Sequence, residues 1–323
     1  MTVSTLPPIL PYGMIVGQDS IKRALELAYI ADRIGGVLIS GQRGTGKSTL
    51  VRAFAQMMYT KPLVTLPINA TEDRVVGGWQ IKQLMEGTAT LQDGLLKEAD
   101  QSILYIDEVN LLDDHIVNII LDVSSTGILS IQRDGLRAEE RVRFTLVGTM
   151  NPEEGLLRPQ LLDRFGLMVS AEADTVPANR AKIMLAVLAY DNARAGDPDA
   201  IAQVQQQIED DQVYAERLHG ARARLAHVKG DPIVDACVAV ASAFAMQGHR
   251  GDLVLLTAAR ALAALESMEQ TNQNSITVAP RHVQAVARLA LQHRRNEASQ
   301  GTQSFWRTPD DDATVAAKLN LDA

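Results

Sequence analysis

The chain has 323 residues, in which 31 Lys and Arg stand against 39 Asp and Glu, for a formal net charge of −8 at pH 7. This length corresponds to about two domains with cores of their own and excludes a single small disulfide-rich module. The acidic balance argues against sequence-independent binding to nucleic acid, and an aromatic content of 4% leaves few side chains on which bases could stack.

Cysteine and histidine residues are too few and too scattered for a metal cluster. Cys237 is the single cysteine, so the chain can form no internal disulfide and no cysteine-based zinc site. The histidines stand singly, without the spacing that places two on one helical turn. No stretch approaches the roughly 20 apolar residues of a membrane span, and residues 1–11 lack a basic region followed by an apolar run. We therefore expect a cytoplasmic protein without membrane insertion.

The first half of the chain alternates short apolar runs with helical patterns, which is typical of an α/β domain with a mostly parallel sheet. The runs are nearly uniformly apolar, as strands covered by helices on both faces are. The predicted strands are residues 36–40, 63–67, 103–106, 144–148 and 167–171, and the predicted helices are residues 19–33, 47–58 and 115–126.

A hairpin is predicted near residues 128–142. Two extended arms, 128–132 and 136–142, flank the segment Arg133-Asp134-Gly135. An Asp-Gly pair supplies the positive φ angles of a tight turn between antiparallel strands. We expect this hairpin to interrupt the alternation of helix and strand and to project outward.

The second half of the chain shows helical patterns only. They cover residues 178–195, 200–228, 232–246, 252–268 and 280–295, with breaks at Gly-Asp-Pro segments, since Gly ends helices and Pro starts them. We predict an α/β nucleotide-binding domain over residues 1–177 and an all-helical domain over residues 178–295. Residues 296–323 are polar, and we expect a loosely held tail there.

The strongest local pattern is Gly41-Gln42-Arg43-Gly44-Thr45-Gly46-Lys47-Ser48, which follows an apolar strand and opens a helix. It matches G-x-x-x-x-G-K-[ST], in which glycines let backbone amides point at phosphate oxygens. Lys47 would contact the β- and γ-phosphates, and the Ser48 hydroxyl would ligate Mg²⁺. A glycine turn with a surface lysine is the alternative, and the flanking strand and helix argue against it. The predicted phosphate-binding residues are Gly41, Gln42, Arg43, Gly44, Thr45, Gly46, Lys47, Ser48 and Thr49.

A second acidic element is the pair Asp107-Glu108, which ends the apolar strand 103–106. Asp107 would hold Mg²⁺ through its water shell, and Glu108 would orient and polarise the attacking water. Such a pair can also be a solvated strand end, but together with the phosphate loop it predicts an ATPase. The chain has no N-K-x-D segment of the kind that reads guanine, so ATP is preferred over GTP.

Two further residues are candidates for catalysis. Asn151 follows the predicted strand 144–148 and could sense the γ-phosphate, although an Asn followed by Pro is equally an ordinary turn opener. Arg164 stands near the end of a short helix, from which it could reach the nucleotide of a neighbouring subunit. The alternative for Arg164 is a surface ion pair with Asp163 or Glu154.

These motifs resemble the AAA+ superfamily and, within it, the ATPase subunit I of magnesium chelatase. The similarity covers most of residues 10–295. It is carried by Gly17-Gln18, the phosphate loop, Gly94-Leu95-Leu96 and the runs 70–77, 103–112, 148–155 and 157–166, and it continues more weakly through 248–252 and 286–295. The resemblance implies a P-loop AAA+ core with a five-stranded sheet, an insert near residues 70–77, a projecting hairpin and a helical lid.

The resemblance also implies roles for particular residues. Lys47, Ser48, Asp107 and Glu108 match the Walker residues of the family, Asn151 its sensor 1, Arg164 its arginine finger and Arg250 its sensor 2, while Val16 lies in the segment that borders the adenine. The implied assembly is a homohexameric ring that binds ATP and Mg²⁺ between subunits. Its implied partners are a larger protein with a von Willebrand/integrin-type domain and a porphyrin-binding subunit that inserts the metal.

Two departures leave the pathway open. Only a short segment separates the predicted helix 47–58 from the strand that follows, and Thr257 stands where the family would place a basic residue. The leading hypothesis is an ATPase motor for metal insertion into a tetrapyrrole. The alternative is a MoxR-like chaperone that acts with a von Willebrand-type partner on another enzyme. A nucleic-acid motor and a non-catalytic scaffold are disfavoured by the charge balance and by the full catalytic set.

Overall fold

A five-stranded sheet lies at the centre of the first half of the chain. The computed structural model describes residues 6–79, 91–133, 136–246, 248–269, 276–295 and 306–321. Its strands are β1 (Val37–Ser40), β2 (Val64–Leu66), β3 (Gly77–Trp79), β4 (Leu91–Asp93), β5 (Ile103–Ile106), β6 (Ile128–Arg133), β7 (Leu136–Arg141), β8 (Thr145–Met150), β9 (Leu167–Ser170), β10 (Val228–Lys229) and β11 (Ile276–Thr277). The central sheet has the order β2-β5-β8-β1-β9, and each neighbouring pair in it is parallel.

The predicted α/β architecture is confirmed. The five predicted strands all occur in this sheet, and β5 has the predicted bounds, whereas β8 runs on to Met150. Successive residues of a strand face opposite sides of the sheet. Val37 and Ile39 accordingly lie in one hydrophobic cluster, whereas Leu38 lies in another. The continuous apolar character of the strands therefore reflects burial on both faces.

Helices cover both faces of the sheet and make up most of the second half. They are α1 (Asp19–Ile30), α2 (Lys47–Met58), α3 (Glu72–Val76), α4 (Leu95–Glu98), α5 (Asp114–Thr126), α6 (Pro159–Leu162), α7 (Pro177–Ala195), α8 (Pro198–Arg224), α9 (Val234–Ala243), α10 (Arg250–Glu266), α11 (Pro280–Leu291) and α12 (Asp310–Lys318). The predicted helices all occur. Asp113 caps the start of α5, where its side chain accepts a hydrogen bond from the His115 amide, and Gly127 caps the end in the left-handed conformation.

The described residues of the lid, α7 to α12, are helical apart from short loops and one short strand pair. Val228 and Lys229 pair in parallel with Ile276 and Thr277. Two-residue strands carry no periodicity that a sequence pattern could reveal. The lid shares a continuous core with the first domain, because α1 residues such as Ala24 lie in the same hydrophobic cluster as lid residues such as Leu255 and Ala258.

Within the part of the chain that the structure describes, two antiparallel pairs lie outside the central sheet. β6 and β7 pair from Ile128 opposite Arg141 to Arg133 opposite Leu136, which confirms the predicted hairpin, while its turn at residues 134–135 lies outside the described residues. β3 and β4 pair as well, next to α3, in the region of the predicted insert. Gly77 is required there, because it has φ +94° and a Cβ on it would come within 2.5 Å of the Gln92 carbonyl oxygen.

The expectation of a loosely held tail is wrong for residues 306–321. Trp306 is buried, its ring centroid lies 5.1 Å from that of Phe244, and its Nε1 donates to Asp312 at 2.9 Å. Val315 is buried on the same helix, α12. The acidic residues that made the segment look polar occupy the first turn of α12, where negative charge stabilises a helix. Among the described residues no helix is both long and apolar enough to cross a membrane.

Candidate active site

Two adjoining clefts of about 300 and 310 Å³ open at the carboxyl edge of the central sheet. The phosphate loop, which follows β1, lines both clefts. Asp107 and Glu108, which follow β5, line the first, and Asn151, which follows β8, lines both. Parallel strands end at the same edge, and ligands of open α/β sheets bind outside that edge. The sheet order thus brings together residues that are more than 100 positions apart in the chain.

The phosphate loop has the conformation that its glycines permit. Gly44 and Gly46 both have φ +81°, and α2 begins directly afterwards at Lys47. Gly41 is required for a different reason, since a Cβ there would come within 2.2 Å of the carbonyl oxygen of Ala171, which directly follows the neighbouring strand β9. The free amides at the start of α2 and the positive end of its dipole make this a site for anions.

Lys47 lies across its own loop. Its Nζ donates to the carbonyl oxygens of Gly41 at 2.5 Å and Gln42 at 2.7 Å. Burial lowers the pKa of Lys47, and the carboxylates of Asp107 and Glu108 oppose that shift. The partly buried ammonium is thus held by two carbonyl oxygens of the loop that is predicted to bind the phosphates.

The two predicted magnesium ligands are joined through Tyr105. The Tyr105 hydroxyl donates to Asp107 Oδ1 at 2.9 Å and lies 2.8 Å from Ser48 Oγ. Since the phenol has one hydrogen, Ser48 donates to Tyr105. Burial raises the pKa of Tyr105, which keeps the phenol protonated. Hydroxyl and carboxylate oxygens are the ligands that Mg²⁺ prefers, so this donor set fits the ion.

Thr149 fixes the acidic pair from the neighbouring strand. Its Oγ1 donates to Asp107 Oδ1 at 2.7 Å and accepts the Glu108 amide at 3.1 Å. Glu108 has φ +56°, a left-handed conformation that costs a side-chain-bearing residue energy. Neither Tyr105 nor Thr149 was among the predicted site residues. The available signal was strand periodicity, which places Tyr105 on the same face as Asp107.

The predicted catalytic base is paired with an arginine of the phosphate loop. Arg43 Nη2 lies 2.9 Å from Glu108 Oε1 and 2.7 Å from Glu154 Oε1. The Glu108 side chain is 20% exposed, so it lies at the cleft rather than in the core. In this conformation Arg43 therefore holds the carboxylate that the sequence assigns to water activation.

Asn151 opens a turn, as one of the two interpretations of its sequence predicts, and it also lines the clefts. It is 6% exposed and lines both clefts. Its Oδ1 accepts the Glu153 amide at 3.3 Å, and its Nδ2 donates to Glu154 at 3.3 Å, as a turn opener would. The residue is thus fixed by the turn that follows β8 and lies where it could contact a phosphate.

The three remaining predicted residues lie outside the two clefts. Arg164 pairs with Asp122 at 2.6 Å, which is neither of the partners considered from sequence. Arg250 lies beside Asp163, with its Nη1 3.5 Å from the carbonyl oxygen, and does not line either cleft of its own chain. Val16 does not line them either, although its neighbour Gln18 donates to the Thr45 carbonyl at 3.2 Å and ties that segment to the loop.

Comparison with known proteins places this architecture in a class. Residues 36–165 match the AAA domain of the dynein-related subfamily, and residues 234–315 match the AAA lid domain. The parallel sheet, the phosphate loop and the acidic pair occupy the first of these regions, and the lid helices α9 to α12 lie largely in the second. The fold and the cleft thus define an AAA+ ATPase core joined to its lid.

Individual similar proteins show to which family of AAA+ ATPases the chain belongs. The magnesium-chelatase 38 kDa subunit of Cereibacter sphaeroides is 40% identical over 318 residues, which cover 88% of this chain and 91% of that protein. A structure of the complex between subunits BchI and BchD of magnesium chelatase, based on cryo-EM, contains a chain that is 37% identical, with a TM-score of 0.52 and coverage of 89% of this chain and 96% of that one. The chain belongs to the family of the magnesium-chelatase ATPase subunit, ChlI or BchI.

Another relative is longer than this chain. An uncharacterized protein of Mycobacterium tuberculosis is 39% identical over 318 residues, which cover 96% of this chain. This chain spans 48% of that protein's length. The same AAA+ unit therefore occurs both in proteins of similar size and as about half of a larger one.

Proposed function

We propose that this chain is the MgATP-hydrolysing motor subunit of a magnesium-chelatase-like complex and drives metal insertion into a tetrapyrrole by a partner subunit. One observation carries the ATPase part. Lys47 and Ser48 meet Asp107 and Glu108 at one sheet edge, in a chain of the chelatase subunit family. The relatives are named as magnesium-chelatase subunits, which supports Mg²⁺ as the metal. The proposed acceptor is protoporphyrin IX, in the biosynthesis of chlorophyll or bacteriochlorophyll.

Each residue of the cleft has a chemical task in this proposal. The loop amides and Lys47 bind the β- and γ-phosphates, and Ser48 and Asp107 hold Mg²⁺, which when bound neutralises phosphate charge. Glu108 accepts a proton from the attacking water, so that ATP and water become ADP and phosphate. Asn151 holds that water against the γ-phosphate.

The proposed working form is a homohexameric ring. Arg164 of each subunit stabilises the charge that develops on the nucleotide of the next subunit. This is consistent with a cleft to which the chain's own Arg164 and Arg250 do not contribute. The proposed partners are a larger subunit with a von Willebrand/integrin-type domain, in the place of the BchD named with the structural relative, and a porphyrin-binding subunit.

The ATPase part is tested with Glu108→Gln. We expect Mg²⁺-dependent hydrolysis to fall about 100-fold or more, because the general base is lost, while ATP binding stays within about threefold. The matched control is Glu98→Gln, which changes an exposed glutamate paired with Arg74 outside both clefts and should retain activity. Normal turnover in Glu108→Gln would contradict the assignment of the base.

The chelatase part needs the partners. The chain is combined with the von Willebrand-type protein and the porphyrin-binding protein of the same cell, and ATP-dependent insertion of Mg²⁺ into protoporphyrin is followed by its absorption spectrum. Metallation that requires Lys47 supports the proposal. Stimulated ATP hydrolysis without metallation of any tetrapyrrole would contradict it and favour a remodelling role on another enzyme.

A further inference from the structure

The end of lid helix α11 is fastened to the loop that carries Arg164. This finger loop, residues 163–166, follows the four-residue helix α6. Arg294 follows α11, and its side chain is 2% exposed. Its Nη1 donates to the Gly166 carbonyl at 2.9 Å, and its Nη2 donates to the carbonyls of Asp163 at 3.0 Å and Phe165 at 2.5 Å. The guanidinium thus binds backbone oxygens on both sides of Arg164.

Neighbouring lid side chains make the same kind of contact. His293 Nε2 lies 2.9 Å from the Phe165 carbonyl, and Gln292 donates to the Met168 carbonyl at the start of β9. Burial lowers the pKa of His293 well below its ordinary value, so the neutral ring donates through Nε2. Three consecutive side chains of the lid therefore satisfy carbonyl groups of one short segment of the core.

Charge adds to these hydrogen bonds. Arg294 Nε lies 3.2 Å from Asp163 Oδ1, and a second lid arginine, Arg250, lies 3.8 Å from Asp163 Oδ2. Burial lowers the pKa of Arg294 to about 10, so the guanidinium remains charged at neutral pH. A buried charge is costly unless it is fully paired, and removing it leaves its partners unsatisfied. The lid and the finger loop are therefore joined by both hydrogen bonds and ion pairs.

The core holds part of the finger loop, because Phe165 is fully buried in a core cluster and the Gly166 amide donates to the Gly36 carbonyl at 3.1 Å. Helix α6 is four residues long, and beyond it the Arg164 amide still donates to the Leu161 carbonyl at 3.1 Å. The Arg164 side chain is 33% exposed, and the contact that orients it is the ion pair with Asp122. The carbonyl oxygens on both sides of Arg164 are bound in addition by Arg294, from the lid.

We propose that Arg294 is a positioning residue that joins the lid of each subunit to the arginine finger that the same subunit presents to its neighbour. This inference rests on the proposed ATPase function and on a site shared between subunits. If Arg294 has this role, a movement of the lid in one subunit displaces Arg164 of that subunit and so changes hydrolysis of the nucleotide bound by the neighbouring subunit. Arg294 itself does not touch either cleft of its own chain.

The test uses Arg294→Gln in mixed assemblies. Alone, this variant should lose about 100-fold in kcat, because a misplaced catalytic group costs about that much, while KM for ATP stays within about twofold. Lys47→Ala subunits have an impaired nucleotide site but a correctly placed Arg164, so mixing them with Arg294→Gln should restore hydrolysis. Arg164→Ala subunits have no finger, and mixing them with Arg294→Gln should restore nothing. The matched control is Arg288→Gln, an exposed arginine on the same helix, which should behave as wild type.

Each outcome is informative. Rescue by Lys47→Ala together with no rescue by Arg164→Ala supports the positioning role, since a merely structural defect would not distinguish these two partners. Wild-type activity of Arg294→Gln, or rescue by both partners or by neither, would overturn it. If Arg294→Gln does not fold, as judged by thermal unfolding, Arg294→Lys, which keeps the charge but has fewer donors, is mixed in the same way.

Failures of the underlying premises are recognised separately. If wild-type chain shows no Mg²⁺-dependent hydrolysis, the proposed function fails. If wild type is active but Lys47→Ala and Arg164→Ala do not complement each other, the shared site fails. Either result overturns the positioning role as well. If wild type hydrolyses ATP and Lys47→Ala and Arg164→Ala complement each other, but Arg294→Gln is not rescued as expected, only the positioning role is overturned.

Discussion

Tyr105 links the two halves of the predicted magnesium site. It stands two residues before Asp107 on β5, so both side chains point to the side on which α2 lies. Its hydroxyl contacts Ser48 from the phosphate loop and Asp107 from the acidic pair. The phenol thereby joins both predicted oxygen ligands through one hydroxyl group.

We expect Tyr105→Phe to weaken the binding of Mg²⁺ together with nucleotide. Loss of a hydrogen bond worth about 1 kcal/mol corresponds to a roughly fivefold higher half-saturating Mg²⁺ concentration. The measurement is the Mg²⁺ dependence of binding of a fluorescent ATP analogue, repeated in EDTA, where wild type and variant should agree. Tyr59→Phe is the control, because its hydroxyl bonds Thr145 at 2.8 Å outside the clefts. An unchanged Mg²⁺ dependence would refute the role of Tyr105.

At this scale the sequence predicted the phosphate loop and the acidic pair because their chemistry uses consecutive residues. The loop amides from Gly41 to Ser48 act as a unit, so the motif itself implies the geometry. Tyr105 and Thr149 were missed, because in a strand pattern a tyrosine counts as apolar and a threonine as neutral. Their roles depend on strands that neighbour each other in space, β5 and β8.

Elements were predicted best where the pattern is long and the ends are marked. Helix α2 has the predicted bounds, because the phosphate loop starts it and the apolar stripe ends at Met58. The hairpin β6–β7 was recognisable from its alternating arms and Asp-Gly pair. Strand β3 escaped notice, because it is three residues long and pairs with a segment from beyond residue 90.

Helix α12 shows how polar composition can conceal a packed element. Three aspartates open it, and the apolar residues that fasten it, such as Val315 and Leu319, are few but buried. Trp306 anchors the approach to this helix by packing on Phe244 of the lid. A few buried side chains hold the segment, and its polar average composition does not reveal them.

We expect Trp306→Ala to lower the free energy of unfolding of the lid by about 3–5 kcal/mol, since truncation of a buried aromatic side chain leaves a cavity. Chemical denaturation measures this change, and limited proteolysis of residues 306–321 should become faster. The control is Val213→Ala on α8, where the side chain is 68% exposed and the change should stay within about 0.5 kcal/mol. Equal effects of both substitutions would contradict the docking of this segment.

The whole molecule is organised around the junction of α1 with the lid. Glu26 on α1 is buried, and its Oε1 accepts from Tyr12 at 3.1 Å and from Tyr214 of α8 at 2.8 Å. Burial raises the pKa of Glu26, while the two tyrosines, Arg23 and Lys22 oppose the shift. A single carboxyl group thus joins the N-terminal segment, the core and the lid.

The sign of the pH dependence follows from the raised pKa of Glu26. Because this pKa is higher in the folded state, folding binds a proton, and stability falls as pH rises from the ordinary glutamate pKa through the raised one. Glu26→Gln keeps an acceptor for both tyrosines and removes the titration. We therefore expect the variant to lose this part of the pH dependence. Its size is about 1.4 kcal/mol of unfolding free energy for each tenfold change of the Glu26 acid dissociation constant on folding.

Unfolding free energies between about pH 4 and pH 8 measure the effect. The difference between Glu26→Gln and wild type should grow in favour of the variant as pH rises. Glu216→Gln on α8 is the control, since Glu216 is exposed. A constant difference across this range would show that Glu26 does not titrate at the junction.

The sequence by itself determined the class of protein, the phosphate loop, the acidic pair and the parallel α/β core, because each is encoded by neighbouring residues or by a regular period. Tertiary structure alone decided where the scattered arginines lie. It placed Arg250 beside Asp163 and outside both clefts, and it brought the guanidinium of Arg294 against the finger loop. These contacts join residues that are more than 80 positions apart, and no local pattern records them, since they arise only when the lid packs against the core.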